Sequence, residues 1–287
     1  RRMLFRRVSC SVIRLGIRCF SSEPSPLIVE RLDGTRKGIV LFRLNRPSTK
    51  NAISKLLASQ LHEGIAALKH CREARVLILK SDVKGTFCTG ADLKERKTMP
   101  VEDVLAFVEG LRGIADGIAR LPIPTIAAID GFAFGGGLEF ALACDMRVAN
   151  VQAKLGLTET RLAIIPGAGG TQRLSRLVGP ARAKELIFTG RILDGKEAAR
   201  LGIVNDAVDG AEDAAFQRAL LIAEEILPRG PIAVRMAKMA IDAGLNSDMD
   251  TGLQMEKACT AILTTTKDRI EGLAAFNEKR PPQYKGE

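Results

Sequence analysis

The stretch 125–166 constrains this chain more than any other. It opens with an apolar run, Thr125-Ile126-Ala127-Ala128-Ile129-Asp130-Gly131, and reaches three consecutive glycines, Gly135, Gly136 and Gly137. A helical-looking run over 138–144 follows and carries Glu139; Gly156, Leu157, Thr158 and Glu159 come about a helix and a strand later. The pattern reads as a strand, a tight glycine turn and the start of a helix. The first N–H groups of a helix have no partner within it, and the macrodipole is positive there. Such an end holds anions, and glycines let a ligand approach the bare backbone. If the helix starts within the glycines, Glu139 lies one turn after Gly136 on the same face. An N–H donor beside a carboxylate suits acyl chemistry that passes through an enolate. The same residues also suit a plain turn followed by an acid that favours the helix dipole, so the rest of the chain has to decide.

Composition narrows the choice. Apolar residues make up 46% of the 287, enough for a large core, while aromatics are only 4%, with no Trp and one Tyr. That scarcity argues against a base-stacking nucleic-acid surface. No apolar run is long enough to span a bilayer. The net charge of +10 is concentrated at the start: Arg1, Arg2, Arg6, Arg7, Arg14 and Arg18 precede the first acid, Glu23. Arginines interleaved with Leu, Phe, Val and Ile predict a mitochondrial transit peptide over 1–22 and a matrix location. The six cysteines form no C-x-x-C pair, and the only histidines are His62 and His70. A disulfide framework, a zinc site and a Ser-His-Asp triad are not predicted, and no metal is called for. Carboxylates and backbone are the expected catalytic equipment.

In chain order, 27–32 and 38–44 predict a strand hairpin turned at Asp33 and Gly34. Ile53, Leu57, Leu61, Ile65 and Leu68 predict an amphipathic helix over 51–69. A strand at 75–80 leads to Gly90 and Ala91, a second accessible backbone turn, with Asp92 suiting either a helix cap or, taken alone, a plain turn. Val104, Val108, Leu111, Ala115 and Ile118 predict another helix, and 146–149 another strand. The glycine-rich run 164–173 fails the G-x-G-x-x-G pattern, because Gln172 stands at the third glycine position, and reads as a turn into a helix. Strands and helices alternate to about residue 205, which predicts an α/β core over 23–209. Beyond 210 the strand signal vanishes, and 212–227, 231–243, 250–263 and 267–278 predict a helical region over 210–287.

Taken together these residues resemble the enoyl-CoA hydratase/isomerase (crotonase) family. The motifs fall in family order: Phe87-Cys88-Thr89-Gly90-Ala91-Asp92-Leu93-Lys94, then 124–131, Gly135 to Glu139, Gly156 to Glu159, and 165–173. The resemblance implies a spiral of ββα repeats and a C-terminal helical oligomerisation region that assembles a homotrimer or homohexamer. It implies Ala91 and Gly136 as the two oxyanion-hole donors and Glu139 and Glu159 as the catalytic pair. Lys94, Phe276 and Lys279 match positions near the CoA moiety, the last two reaching a neighbouring subunit. It implies hydration of a 2-enoyl-CoA thioester, in fatty-acid β-oxidation or leucine degradation, with CoA entering as part of the substrate and no other cofactor. Glu159 is expected as the base for water and Glu139 as its partner.

The tail, 267–273 and 278–287, is similar to the mitochondrial branch that includes 3-methylglutaconyl-CoA hydratase, some of whose members bind AU-rich RNA. In the RNA-binding member the helix matching 51–69 carries a comb of lysines. Here it has Lys55 and Lys69, with Lys50 just before, and Ser59 and Glu63 where further lysines are expected. RNA affinity rests on phosphate electrostatics, so this departure argues against RNA as a partner. Other readings within reach are an isomerase of the same fold, a non-catalytic RNA-binding protein and an inactive scaffold. The four residues Ala91, Gly136, Glu139 and Glu159 favour the hydratase.

Overall fold

The computed structural model describes residues 25–287. The expected transit peptide lies outside them. The chain begins with β1 (Leu27–Arg31), β2 (Ile39–Leu44), α1 (Lys55–Lys69), β3 (Val76–Ser81), β4 (Thr86–Cys88), α2 (Leu93–Lys97) and α3 (Val101–Ala119). Next come β5 (Thr125–Ile129), β6 (Phe132–Phe134), α4 (Gly136–Ala143), β7 (Met146–Asn150) and β8 (Lys154–Gly156). They are followed by α5 (Gly170–Val178), α6 (Pro180–Thr189), β9 (Leu193–Asp194), α7 (Gly195–Arg200) and β10 (Asp206–Val208). The last helices are α8 (Ala214–Ile226), α9 (Pro231–Gly244), α10 (Met249–Thr264) and α11 (Lys267–Asn277).

Two sheets run through the core, in the orders β1-β2-β3-β5-β7-β10 and β4-β6-β8-β9. The pairs β3/β4, β5/β6 and β7/β8 each send one strand to each sheet before the chain enters a helix, which is the repeating ββα turn of a spiral. Strands β2, β3, β5, β7 and β10 pair in parallel, and β1 closes the edge as the antiparallel hairpin arm. Parallel strands are buried on both faces and read as continuous apolar runs. Alternation then sorts their side chains. Leu77, Leu79, Ala127 and Ile129 face the core shared with α1, α3 and α4, while Val76, Ile78, Ile126 and Ala128 face α8 through Ala215, Ala219 and Ala223.

The helical expectations hold with one correction. The helix predicted over 51–69 begins only at Lys55, where Ser54 caps it by accepting from the Leu57 N–H. Asn51 adopts a left-handed φ of 55°, and Ile53 runs extended as a bridge to Ala91. The apolar spacing that counts Ile53 into the helix arises because Ile53 faces the same core from an extended segment. Strands β4, β6, β8, β9 and β10, each of two or three residues, are too short to leave a periodic signal.

The C-terminal helices are tied to the core through partly buried polar atoms. The Asp145 carboxylate accepts from the Thr125 N–H (2.8 Å), the Thr125 hydroxyl (3.0 Å) and the Lys238 ammonium (2.8 Å), linking the start of β5 to α9. Lys238 also donates to the Ile123 carbonyl. Residues 280–287 fold back on α11, where Asp268 accepts from the N–H groups of Lys285 and Gly286. No helix among the described residues is long and apolar enough to cross a membrane.

Helix α4 lies directly against β4. A Cβ on Gly137 would stand 2.7 Å from the Cys88 Cβ and closer still to its carbonyl oxygen. Gly137→Ala is therefore expected to destabilise the fold by about 2–3 kcal/mol, because backbone has to move to admit one methyl. Denaturant unfolding of the two proteins measures the difference.

Candidate active site

Three neighbouring parallel strands of the smaller sheet, β4, β6 and β8, end side by side. Beyond their carboxyl ends lie Ala91, Gly136 and Glu159 respectively. In open α/β sheets the crevice past these ends is the usual ligand position.

The Ala91 turn is shaped by Ile53. The Ile53 N–H donates to the Gly90 carbonyl (2.8 Å), and the Asp92 N–H donates to the Ile53 carbonyl (3.0 Å). Because extended backbone alternates sides, Ala91 between them turns its own N–H away from Ile53. That N–H donates to no protein group, and neither does the N–H of Gly136. The two turns touch: a Cβ on Gly90 would lie 3.3 Å from the Gly136 nitrogen, and one on Gly136 would lie 3.8 Å from the Ala91 nitrogen. Gly90 has φ +89° and Gly135 φ +50°, left-handed values that favour glycine. Asp92 caps α2 from its first turn, accepting from the Lys94 and Glu95 N–H groups, and pairs with Arg46 at 3.3 Å. Behind the turn the fully buried Asn51 donates to the Phe87 carbonyl and the Ser81 hydroxyl and accepts from the Arg46 N–H.

Glu139 sits in the first turn of α4, 3% exposed. Its Oε1 accepts two backbone bonds, from the N–H of Ala168 (2.8 Å) and of Gly170 (2.7 Å). Burial pushes this carboxyl above the ordinary glutamate range, and the two N–H donors, Arg173 and Arg112 act against that rise. Glu159 opens the short 3-10 turn Glu159–Leu162. Both of its carboxylate oxygens are buried and accept no hydrogen bond. Burial pushes it up to about 7; its own backbone N–H offsets this slightly without reaching bonding geometry, and the Glu139 charge adds to the rise. The Glu159 carboxylate packs over Gly135, whose Cβ would lie 3.3 Å from Oε1, so it adjoins the Gly136 turn. Buried carboxylate oxygens without donors are costly unless a site requires them.

The structure thus brings together Ala91, Gly136, Glu139 and Glu159. Lys94 is exposed on α2, immediately beyond Ala91. Phe276 is 84% exposed on α11, and Lys279 follows that helix with φ +52°; no hydrogen bond or ion pair links either to the four residues. Ile53 and the 167–170 loop were not recognised from sequence as parts of the site. The glycines of the loop were visible, and Gly170 is glycine because a Cβ there would meet Glu139 Oε1 at 2.9 Å. On α1, Ser59 donates to Glu63 (3.0 Å), so two positions of this surface row, which starts at Lys55, are polar without being cationic. No group of three or more His, Cys, Asp or Glu side chains among the described residues is placed to hold a metal ion.

Residues 34–287 match the family model described as enoyl-CoA hydratase/isomerase. The chain belongs to this family. Among family members, methylglutaconyl-CoA hydratase, mitochondrial, of Homo sapiens is 52% identical over 275 residues, covering 94% of this chain and 81% of the relative. Enoyl-CoA hydratase domain-containing protein 2, mitochondrial, of Mus musculus is 52% identical over 286 residues, covering 98% and 97%. The crystal structure of enoyl-CoA hydratase from Bacillus anthracis superposes with a TM-score of 0.88 at 47% identity, covering 91% of this chain and all of that one. The crotonase fold expected from sequence is therefore the fold of this chain.

The electrostatics of Glu159 make stability depend on pH. An ordinary glutamate titrates near 4.3, and this one is raised to about 7 in the fold. Its contribution is fully present below about pH 4, where folded and unfolded chains both hold the proton. That contribution is lost as pH rises through about 7. Glu159→Gln does not titrate. It is expected to exceed wild type in stability by about 1–2 kcal/mol at pH 8, allowing for solvent screening, and to match it at about pH 3.5. Unfolding curves at the two pH values check this.

Proposed function

We propose that the chain is a mitochondrial enoyl-CoA hydratase that adds water across the 2,3 double bond of a CoA thioester. The observation that carries this reading is the Glu139–Glu159 pair standing beside two backbone N–H groups that have no protein partner. The mitochondrial hydratases at 52% identity support both the reaction and the compartment.

The thioester carbonyl oxygen is received between the N–H groups of Ala91 and Gly136. As oxygen attaches at C3, electron density moves through C2 onto that carbonyl, and the two donors and the α4 dipole stabilise the enolate as it forms. The water lies between the carboxyl groups. Sequence reading expects Glu159 to activate it; the environments support the reverse assignment. Glu139 has two donors fixed on Oε1, which favours its ionised form, and it takes the proton from water. Glu159, with no donors and its affinity for the proton raised to about 7, is divided between its two forms near neutral pH, and the protonated form delivers its proton to C2. Hydroxyl ends on C3 and hydrogen on C2, and one proton passing from Glu139 back to Glu159 resets the pair. Titration belongs to the pair as a whole. Catalysis by this route uses no cofactor beyond the CoA carried by the substrate.

Lys94, next to Ala91, is suited to the CoA phosphates. Phe276 and Lys279 stand on a helical region that exposes Ile241, Leu245, Met249, Ile270 and Leu273. An apolar surface of this extent marks a protein contact. We read it as the face that assembles a trimer or a hexamer built as a dimer of trimers, which brings Phe276 and Lys279 to a neighbour's site.

Purified protein is expected to hydrate crotonyl-CoA or 3-methylglutaconyl-CoA, followed by loss of enoyl-thioester absorbance, and the preferred substrate identifies the acyl class. Glu139→Gln and Glu159→Gln are each expected to lower kcat by at least about 10³-fold with KM little changed, since each removes a transition-state proton transfer. Folded, oligomeric wild type silent on both substrates would sink the reading.

A further inference from the structure

The 167–170 loop has a second side. Its N–H groups hold Glu139, and its carbonyls are held in turn by two guanidinium groups. The Gly167 carbonyl accepts from Arg112 Nε (3.2 Å), and the Ala168 carbonyl accepts from an Arg173 terminal nitrogen (3.0 Å). The other terminal nitrogen of Arg173 donates to Asp116 (2.6 Å). Arg112 and Asp116 stand one turn apart on α3, and Arg173 lies on α5 just past the loop.

The peptide joining Gly167 to Ala168 is shared. Its carbonyl receives Arg112 and its N–H serves Glu139. A hydrogen bond accepted at one end of a peptide polarises the group and strengthens the bond donated at the other. Arg173 lies across the loop so closely that a Cβ on Gly169, at φ +103°, would collide with the guanidinium. All this grip converges on Oε1. Glu139 Oε2 accepts no bond from a protein group and remains available to water.

We propose that Arg173, anchored by Asp116 and assisted by Arg112, is a positioning residue for Glu139: it acts through the 167–170 backbone to keep that carboxylate ionised and aimed by one oxygen. Neither arginine touches the reacting atoms. The groups facing Glu139 agree with this assignment. Arg112 and the paired Asp116 face it from α3, Arg173 from α5 and Glu159 from the 3-10 turn. On β4, packed against α4, the Cys88 thiol donates to the Asn51 carbonyl and burial pushes it up to about 12, while β6 carries no titratable side chain. The arginines are thus the cations that oppose the burial of Glu139.

The proposal rests on the hydratase reading, and its test separates the two. In the oligomeric enzyme, Arg173→Gln is expected to lower kcat about tenfold with KM within about twofold. The acid limb of the kcat/KM profile should move up by about half a pH unit, because loss of the cation favours the protonated carboxyl. Arg112→Gln, at an exposed position that tolerates substitution, is expected to move the limb the same way by less, and Arg173→Lys to restore part of it. In a Glu139→Gln background, Arg173→Gln should cost no more than about twofold, because its route is already removed. A 13C NMR titration of the Glu139 side-chain carboxyl, assigned with Glu139→Gln, should show the same upward shift without any turnover. An unmoved titration and acid limb in folded Arg173→Gln or Arg112→Gln would overturn the proposal, as would full multiplication of the two losses in the double variant. Wild type inactive on both CoA esters leaves the NMR titration to decide it.

Discussion

The site depends on backbone meeting backbone. Helix α4 approaches β4 with only glycine at the contact, so that Gly136 and Gly137 stand against Gly90 and Cys88. Side chains at these positions would separate the two turns by the width of a methyl group or more. The N–H groups of Ala91 and Gly136 would then stand farther apart. Parallel pairing of β4 with β6 sets the level of the two turns, and the glycines set their distance. The carboxylate of Glu159 arrives by the same device one strand further along, because β8 pairs with β6.

Two glutamates of identical chemistry are made unlike by what surrounds them. Glu139 is buried more deeply, yet receives two backbone bonds and two nearby guanidinium groups. Glu159 receives no bond at all and has a carboxylate for a neighbour. Burial alone would raise both; the donors decide which of them parts with its proton first. Two carboxyls of unlike proton affinity are obtained by distributing backbone N–H groups unevenly between them. The orphaned oxygens of Glu159 represent stability given up to keep that difference.

Much of this was legible in the sequence where the signal was local. Glycines after apolar runs marked both donor turns, and the position of Glu139 one turn into α4 followed from helical spacing. Long amphipathic helices such as α3 and the four C-terminal helices announced themselves by period. Illegible were the features fixed by distant partners. Ile53 repeats in phase with α1 and yet is extended, because its N–H and carbonyl pair with Gly90 and Asp92 nearly forty residues away. The loop at 167–170 read as a turn, since nothing in its composition tells that its N–H groups point at a carboxylate about thirty residues earlier. Strands of three residues cannot show a period of two. The roles of the two glutamates likewise depend on donors that no spacing between them reveals.

The attachment of α9 carries a consequence for how the molecule is built. Lys238 is almost wholly enclosed, and its counter-charge, Asp145, is in place only when β5 and β7 lie in register, because the same carboxylate also holds the Thr125 backbone. On an unfinished core that ammonium would enter a dry contact without its counter-ion, at a cost of several kcal/mol. The helical layer is therefore completed by this ion pair only on a core whose β5 and β7 are in register. A chain whose strands are misaligned presents no finished platform for it, and the apolar surface of that layer is set in its final position only on a correctly assembled core. One lysine thus ties the placement of the helical layer to the register of two strands in the sheet.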